Sequence, residues 1–279
     1  FKTWTSQHDV KKVTVDEITE DELAKQLEKH CGVCPADDQY FQAPVSREAQ
    51  IDFPDDGHAN EVEVVAVHSD SGETRPALWK PVGGENDHLQ SRVGGRLAPR
   101  EEACALLDRS LGFYLIPTAY VATLDGEEGA VLLYIANHQP EVSVDQYDTK
   151  WIERAAVIDY ISHECDRNQG NIFTAPDDPK RPILIDNAMS FPTTEGVPSF
   201  SPFIEQMKGK KLSDDVMMAI TRTARDLAVW SDIGQLVGED AGQIAFTRLT
   251  NLIRLGEIPE TANNLVPDDS SSSTTKESS

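Results

Sequence analysis

AAVIDYISHECDRNQGNIFTAPDDPKRPILIDNAMSF, residues 155–191, decides how the rest of the chain is read. The apolar run predicts a helix over Ala155–Cys165, which delivers the polar group Asp166, Arg167 and Asn171 at its end. A second polar pair, Asp186 and Asn187, follows the short apolar run Ile183–Ile185. Between them, Pro176–Pro182 is rich in Pro and Asp and predicts a turn joining two short strands. Such a layout sets Asp166, Asn171 and Asp186 at the ends of adjacent elements, facing one cleft. One carboxylate to orient an attacking hydroxyl, with an Asn and a second Asp offering hard oxygens to Mg²⁺, is the equipment of phosphoryl transfer from a nucleotide. Either cluster alone is equally a helix end or a strand-closing turn, because Asp and Asn favour turns for local reasons. Their proximity, with Asn171 and Asp186 fifteen residues apart, and an upstream lysine favour a site.

That lysine is Lys80. After the turn Ser69–Thr74, the stretch Arg75-Pro-Ala-Leu-Trp-Lys80-Pro alternates as a strand and projects Lys80 toward phosphates. A helix is predicted from Pro99, suited to a first turn, to Leu111, with Gly112 ending it. A glutamate in its first turn is placed to hold Lys80. Glu101 and Glu102 are the two candidates, and only one of them can face the cleft, since neighbouring helical residues do not share a face. Upstream, Val62, Val64, Val65 and Val67 predict a strand, and Gly57–Asn60 just before it is a candidate phosphate-covering loop. Residues 113–136 read as strand, the turn DGEEG, and strand.

D-R-x-x-x-N followed by L-I-D resembles the catalytic and metal-binding segments of the phosphatidylinositol 3-/4-kinase-like branch of the protein-kinase-like superfamily, especially its small bacterial members. The IDN form is also similar to secretory-pathway atypical protein kinases. The resemblance spans roughly residues 50–255 and rests mainly on CDRNQGN and LIDN, with ALWKP and PREEA in support. It implies an α+β, two-lobed protein-kinase-like fold of the atypical kinase variety. The expected divisions are an extension over 1–49, an N-lobe over 50–137, a C-lobe over 138–262 and a disordered Ser-rich tail over 263–279. It implies ATP with Mg²⁺ or Mn²⁺ as cofactors, Asn171 and Asp186 as metal ligands, Lys80 on the nucleotide phosphates with Glu101, which fits the family's R-E-x-A pattern better than the alternative Glu102, as its partner, and Asp166 orienting the acceptor, with Arg167 bracing the catalytic loop. Gly57 and Asn60 fall where the family carries its nucleotide-covering loop, and Tyr134 and Ala136 where its inter-lobe hinge meets adenine. The metal Asp opens IDN here rather than DFG, which leaves the acceptor class open.

The balance of 25 Lys+Arg against 48 Asp+Glu gives a net charge of −23, a poor match for an extended nucleic-acid or anionic membrane surface. Lys208, Lys210 and Lys211 in MKGKK are a local exception, read either as an ordinary charged loop or as a receiver for an anionic head group. The expected acceptor is therefore a protein or small hydroxyl compound, with a phosphoinositide as the alternative and no transmembrane segment. Other classes kept open are a nucleotide-binding pseudokinase acting through protein contacts and a metal-assisted hydrolase using the same acids. The chain opens on Phe1, as expected of a trimmed or processed protein, so a missing signal peptide has no bearing on location; a cytoplasmic site leads, with secretion or a lumenal compartment the alternatives. Cys31 and Cys34 form CGVC, compatible with free thiols, a disulfide or half of a metal site, whereas Cys104 amid Ala and Leu reads as a buried small side chain. Helices are further predicted over Val15–Lys29, Leu212–Val229 and Ala241–Leu255, the last with Ile244, Leu249, Leu252 and Ile253 inward.

Overall fold

A mixed α+β architecture is built on one curled antiparallel sheet, and the computed structural model describes residues 33–47, 62–135, 138–194 and 196–260. The strands are β1 (Val45–Ser46), β2 (Glu63–His68), β3 (Thr74–Pro81), β4 (Ala119–Leu124) and β5 (Glu127–Leu133), in the order β1-β2-β3-β5-β4. Period-two alternation in β3 divides its side chains between two environments. Ala77 and Trp79 are buried with Tyr40, Val65, Val67 and Val131. Leu78 packs on the opposite side against the main core, and Lys80 shares its face by register. Gly129 on β5 permits this crossing: a Cβ there would fall 2.5 Å from the Lys80 carbonyl oxygen and 2.7 Å from the Trp79 ring.

Two helices follow β3. α1 (Asp87–Val93) is capped by Asn86, whose side chain accepts from the amides of His88 and Leu89. α2 (Ala98–Leu111) starts with Pro99 in its first turn and ends at Gly112 in the left-handed region. It is buried on nearly every side, because its other flank meets the C-terminal helices α5 (Asp214–Ala224) and α6 (Leu227–Val237). Arg222 of α5 donates to the carbonyls of Ser110 and Leu111 at 3.1 and 3.0 Å, satisfying orphan acceptors at the end of α2. Between these blocks lie α3 (Thr149–Ser162), the hairpin β6 (Ile172–Thr174) and β7 (Pro182–Leu184), and α4 (Pro202–Met207); α7 (Glu239–Leu255) closes the described chain.

Several expectations need correction. The helix before Asp166 runs Thr149–Ser162 and stops short of Cys165, because His163 takes a left-handed conformation. Phe113–Thr118 is loop rather than strand: Asp108 reaches past the end of α2 and accepts the amides of Leu115 and Ile116, both at 2.8 Å. Only Asp125-Gly126 of DGEEG forms the turn; Glu127–Gly129 pair in β5. The helix expected over Leu212–Val229 is two, broken where Asp226 caps α6 by accepting from the Val229 amide. In α7, Leu249 and Leu252 are buried, while Ile244 and Ile253 are half-buried. The hairpin β6–β7 and the helix to Leu111 follow the sequence reading.

Residues 35–47, within the expected N-terminal extension, pack onto the sheet. Asp37, in a 3₁₀ turn over Pro35–Tyr40, forms a buried ion pair with Arg75, and Asp38 meets Arg109 at 2.6 Å. Cys34 donates to Asp37 through its amide and its thiol, at 3.0 and 3.1 Å. Cys104 and Cys165 are buried free thiols. Val15–Lys29, Cys31, Gly57–Asn60, Ala136 and the Ser-rich tail lie outside the described residues. No helix among the described residues is long and apolar enough to cross a membrane.

Candidate active site

Lys80 sits where three elements meet. Its ammonium lies 2.7 Å from Glu101 Oε1 on α2 and 2.8 Å from Asp186 Oδ1 in the loop after β7. Burial alone depresses this ammonium, but the charges of Asp186 and then Glu101 outweigh it and hold Lys80 above its ordinary range, so it is cationic throughout the neutral range. Glu101 is 1% exposed and its second oxygen accepts the Asn187 amide at 2.9 Å, tying strand, helix and loop together. Glu102 faces away: it accepts the Val121 amide on edge strand β4 at 2.7 Å, and burial raises its carboxyl above the usual range. Glu85 accepts the amides of Leu97 and Ala98 at 2.9 and 2.7 Å, so the start of α2 is already occupied by a carboxylate.

Asp186 has φ 52° and ψ 60°, a left-handed conformation that Asp tolerates better than most residues. That kink ends the strand direction and presents the carboxylate, while Asn187 turns inward to accept from Arg167 Nη2 at 2.6 Å. Arg167 is fully buried. It donates to Asp159 at 3.0 Å and to the carbonyls of Ile185 and Asn171 at 2.8 and 3.2 Å, joining the two polar clusters. Burial disfavours its charge, but Asp159 and then Glu164 more than restore it.

Asp166 is half-buried, and its carboxylate has no partner among the described residues. Asn171 donates its amide nitrogen to the Asp166 carbonyl at 2.7 Å, which leaves Oδ1 as an acceptor without a partner among the described residues. Asn171 Oδ1 and Asp186 are hard oxygen donors, and no group of three His, Cys, Asp or Glu able to hold a metal occurs among the described residues. A two-donor set fits an ion that takes its remaining ligands from nucleotide phosphates and water. Tyr134 is half-buried and its amide continues the sheet by donating to the Pro76 carbonyl at 3.1 Å. Beyond it, His138 stacks on Phe173 of β6 with ring centroids 3.8 Å apart.

Sequence reasoning missed the groups that hold this arrangement from beneath. Asp159 anchors Arg167, and Arg100 donates to the carbonyls of Ser190, Phe191 and Val93, with no carboxylate among the described residues hydrogen-bonded to it. Burial lowers the Arg100 guanidinium to about 10. The available signal was an acid inside the apolar run AAVIDYI, since a buried carboxylate needs a partner.

No protein-family model matches this chain, and no curated protein matches it. A solved structure that resembles it is the crystal structure of a Helicobacter pylori proinflammatory kinase, CtkA, at 10% identity and a TM-score of 0.46, covering 78% of this chain and 96% of that one. The likeness is coarse, and the chemistry of the site is read from this chain's own residues.

Proposed function

We propose that the protein is an ATP-dependent phosphotransferase of two-lobed, protein-kinase-like fold that moves the γ-phosphoryl group to a hydroxyl acceptor, with a protein Ser or Thr the favoured one. The observation that carries this reading is the meeting of Lys80 with both Glu101 and Asp186, beside an Asp166–Asn171 loop joined to the Asp186 loop by Arg167. Lys80 binds phosphate oxygens, and Glu101 keeps its ammonium aimed at them. Asp166, with no competing partner among the described residues, accepts the hydroxyl proton and orients the acceptor oxygen. Asn171 and Asp186 would hold Mg²⁺ or Mn²⁺, which supplies neutralisation of phosphate charge. Rate enhancement comes from positioning and charge stabilisation with no covalent enzyme intermediate.

The strong negative charge disfavours a lipid surface as the acceptor's home. Within MKGKK, Lys208 already pairs with Glu205, leaving Lys210 and Lys211 as the exposed cations. The test is incubation with labelled ATP and Mg²⁺ or Mn²⁺, offering protein extract, mixed phosphoinositides and a metabolite pool separately, with Asp166→Ala as control. Label on protein that disappears in the control supports the reading. Label confined to lipid or metabolite replaces the acceptor, and metal-dependent ATP binding without transfer replaces the enzyme by a nucleotide-binding module.

A further inference from the structure

Glu164 is a fully buried acid that the proposed transfer does not use. It follows His163, whose left-handed backbone turns the chain inward after α3. Its Oε1 accepts the Asp166 amide at 2.7 Å, and its Oε2 accepts the Ser190 hydroxyl at 2.7 Å. Arg167 Nη2 stands 3.7 Å from the same carboxylate. The Glu164 carbonyl also accepts the Ser199 hydroxyl at 3.0 Å and the Phe200 amide at 2.8 Å. One side chain ties both segments, because a carboxyl group has an oxygen for each of the Asp166 and Ser190 donors. Packing alone does not call for one, because a buried ion pair generally gains no stability over apolar residues of similar volume. Burial pushes the carboxyl up to about 7, the mark of a group placed at a cost.

What this side chain joins gives the reason. Ser190 lies four residues beyond Asp186, and its carbonyl is held by Arg100, the neighbour of Glu101 on α2. Resting on the phosphotransferase reading, we propose that Glu164 is a positioning residue: it fixes the Asp166 loop against the Ser190 end of the Asp186 loop, setting the acceptor-orienting carboxylate in register with the metal-binding one. Among the described residues, Glu164 makes no hydrogen bond or ion pair with Lys80, Asn171 or Asp186, so its loss leaves the phosphate-binding groups their own partners and falls first on the alignment of Asp166.

The experiment compares wild type with Glu164→Ala, Glu164→Gln and Ser190→Ala in steady-state phosphotransfer, with active-site titration and amide hydrogen exchange. For Glu164→Ala, kcat per folded molecule falls about 100-fold, the scale of an ångström misplacement, while KM for ATP stays within about twofold. Ser190→Ala removes one arm and lowers kcat about tenfold, and Glu164→Gln, which keeps an acceptor for the Asp166 amide, recovers part of the loss. Exchange quickens at both 165–168 and 187–191 while α3 stays protected. Unchanged kcat per folded molecule, or a loss appearing only in KM, overturns the positioning role. If Glu164→Ala does not fold, unchanged kcat in both other variants overturns it equally. A wild type that transfers no phosphate overturns the phosphotransferase reading and this role with it; an active wild type indifferent to Glu164 overturns this role alone.

Discussion

Replacing Glu101 with Gln separates the two neighbouring acids of α2 by what each touches. Glu101 places one oxygen 2.7 Å from Lys80 and the other 2.9 Å from the Asn187 amide, almost wholly out of water. Gln keeps the volume and one acceptor for that amide but removes the charge facing Lys80. The ammonium then leans on Asp186, already 2.8 Å away, where it competes with the ion for that carboxylate and is drawn away from the phosphates. A charge-assisted hydrogen bond in such a setting contributes about 1.5–3 kcal/mol. Expressed in the transition state, that is about 10- to 150-fold in kcat/KM. Glu102→Gln has a different outcome. The Val121 amide retains an acceptor, and the neutral side chain relieves a carboxyl that burial disfavours, so activity holds and stability shifts by less than about 1 kcal/mol. Steady-state phosphotransfer with both variants, alongside urea denaturation to confirm equal folded fractions, decides the matter. Equal activity losses in the two variants, or a loss only in Glu102→Gln, would refute the assignment of charge and register.

Nucleotide stabilisation should depend on the ion: ATP with Mg²⁺ or Mn²⁺ raises the melting temperature of wild type, by the equivalent of about 2.7 kcal/mol at a hundredfold excess over Kd, whereas ATP with chelator does not and Asp186→Ala responds to neither. Equal shifts with and without metal would remove the role of Asp186. Asp108 bears on stability against pH, because burial lifts its carboxyl to about 7 and the folded protein therefore holds that proton more tightly than the unfolded chain. Its contribution is greatest at low pH, falls away as pH rises through 7, and changes by up to about 1.4 kcal/mol per pH unit. Urea unfolding of wild type and Asp108→Asn between pH 5.5 and 8.5 should show Asn gaining on Asp as pH rises; parallel curves would contradict the burial argument. Arg222→Ala strips the donor from two carbonyl acceptors at the end of α2 and should cost about 1–3 kcal/mol in denaturant unfolding, while a loss below about 0.5 kcal/mol would show that water replaces the guanidinium freely.

Local chemistry alone determined much of the framework. The period-two runs into Lys80 and at 62–67, Pro99 and Gly112 at the two ends of α2, and the Pro/Asp turn between β6 and β7 are all decided by neighbours a few residues apart, and short-range rules suffice for them. That only one of Glu101 and Glu102 could meet Lys80 was legible too, because adjacent helical residues diverge and one must leave the cleft, while the choice of Glu101 rested on the resemblance. Tertiary structure alone decided what depends on distant partners. Phe113–Thr118 has the composition of a strand, but Asp108 claims its amides. Whether Asp159 and Glu164 were helix-surface acids or buried anchors depended on Arg167 and Ser190 folding back over them. Arg222 gave no sign that it would close α2 from 111 residues away. Propensity and periodicity describe a residue's own stretch of backbone; the destination of a buried charge is set by the partner that neutralises it, and that partner is chosen by the fold.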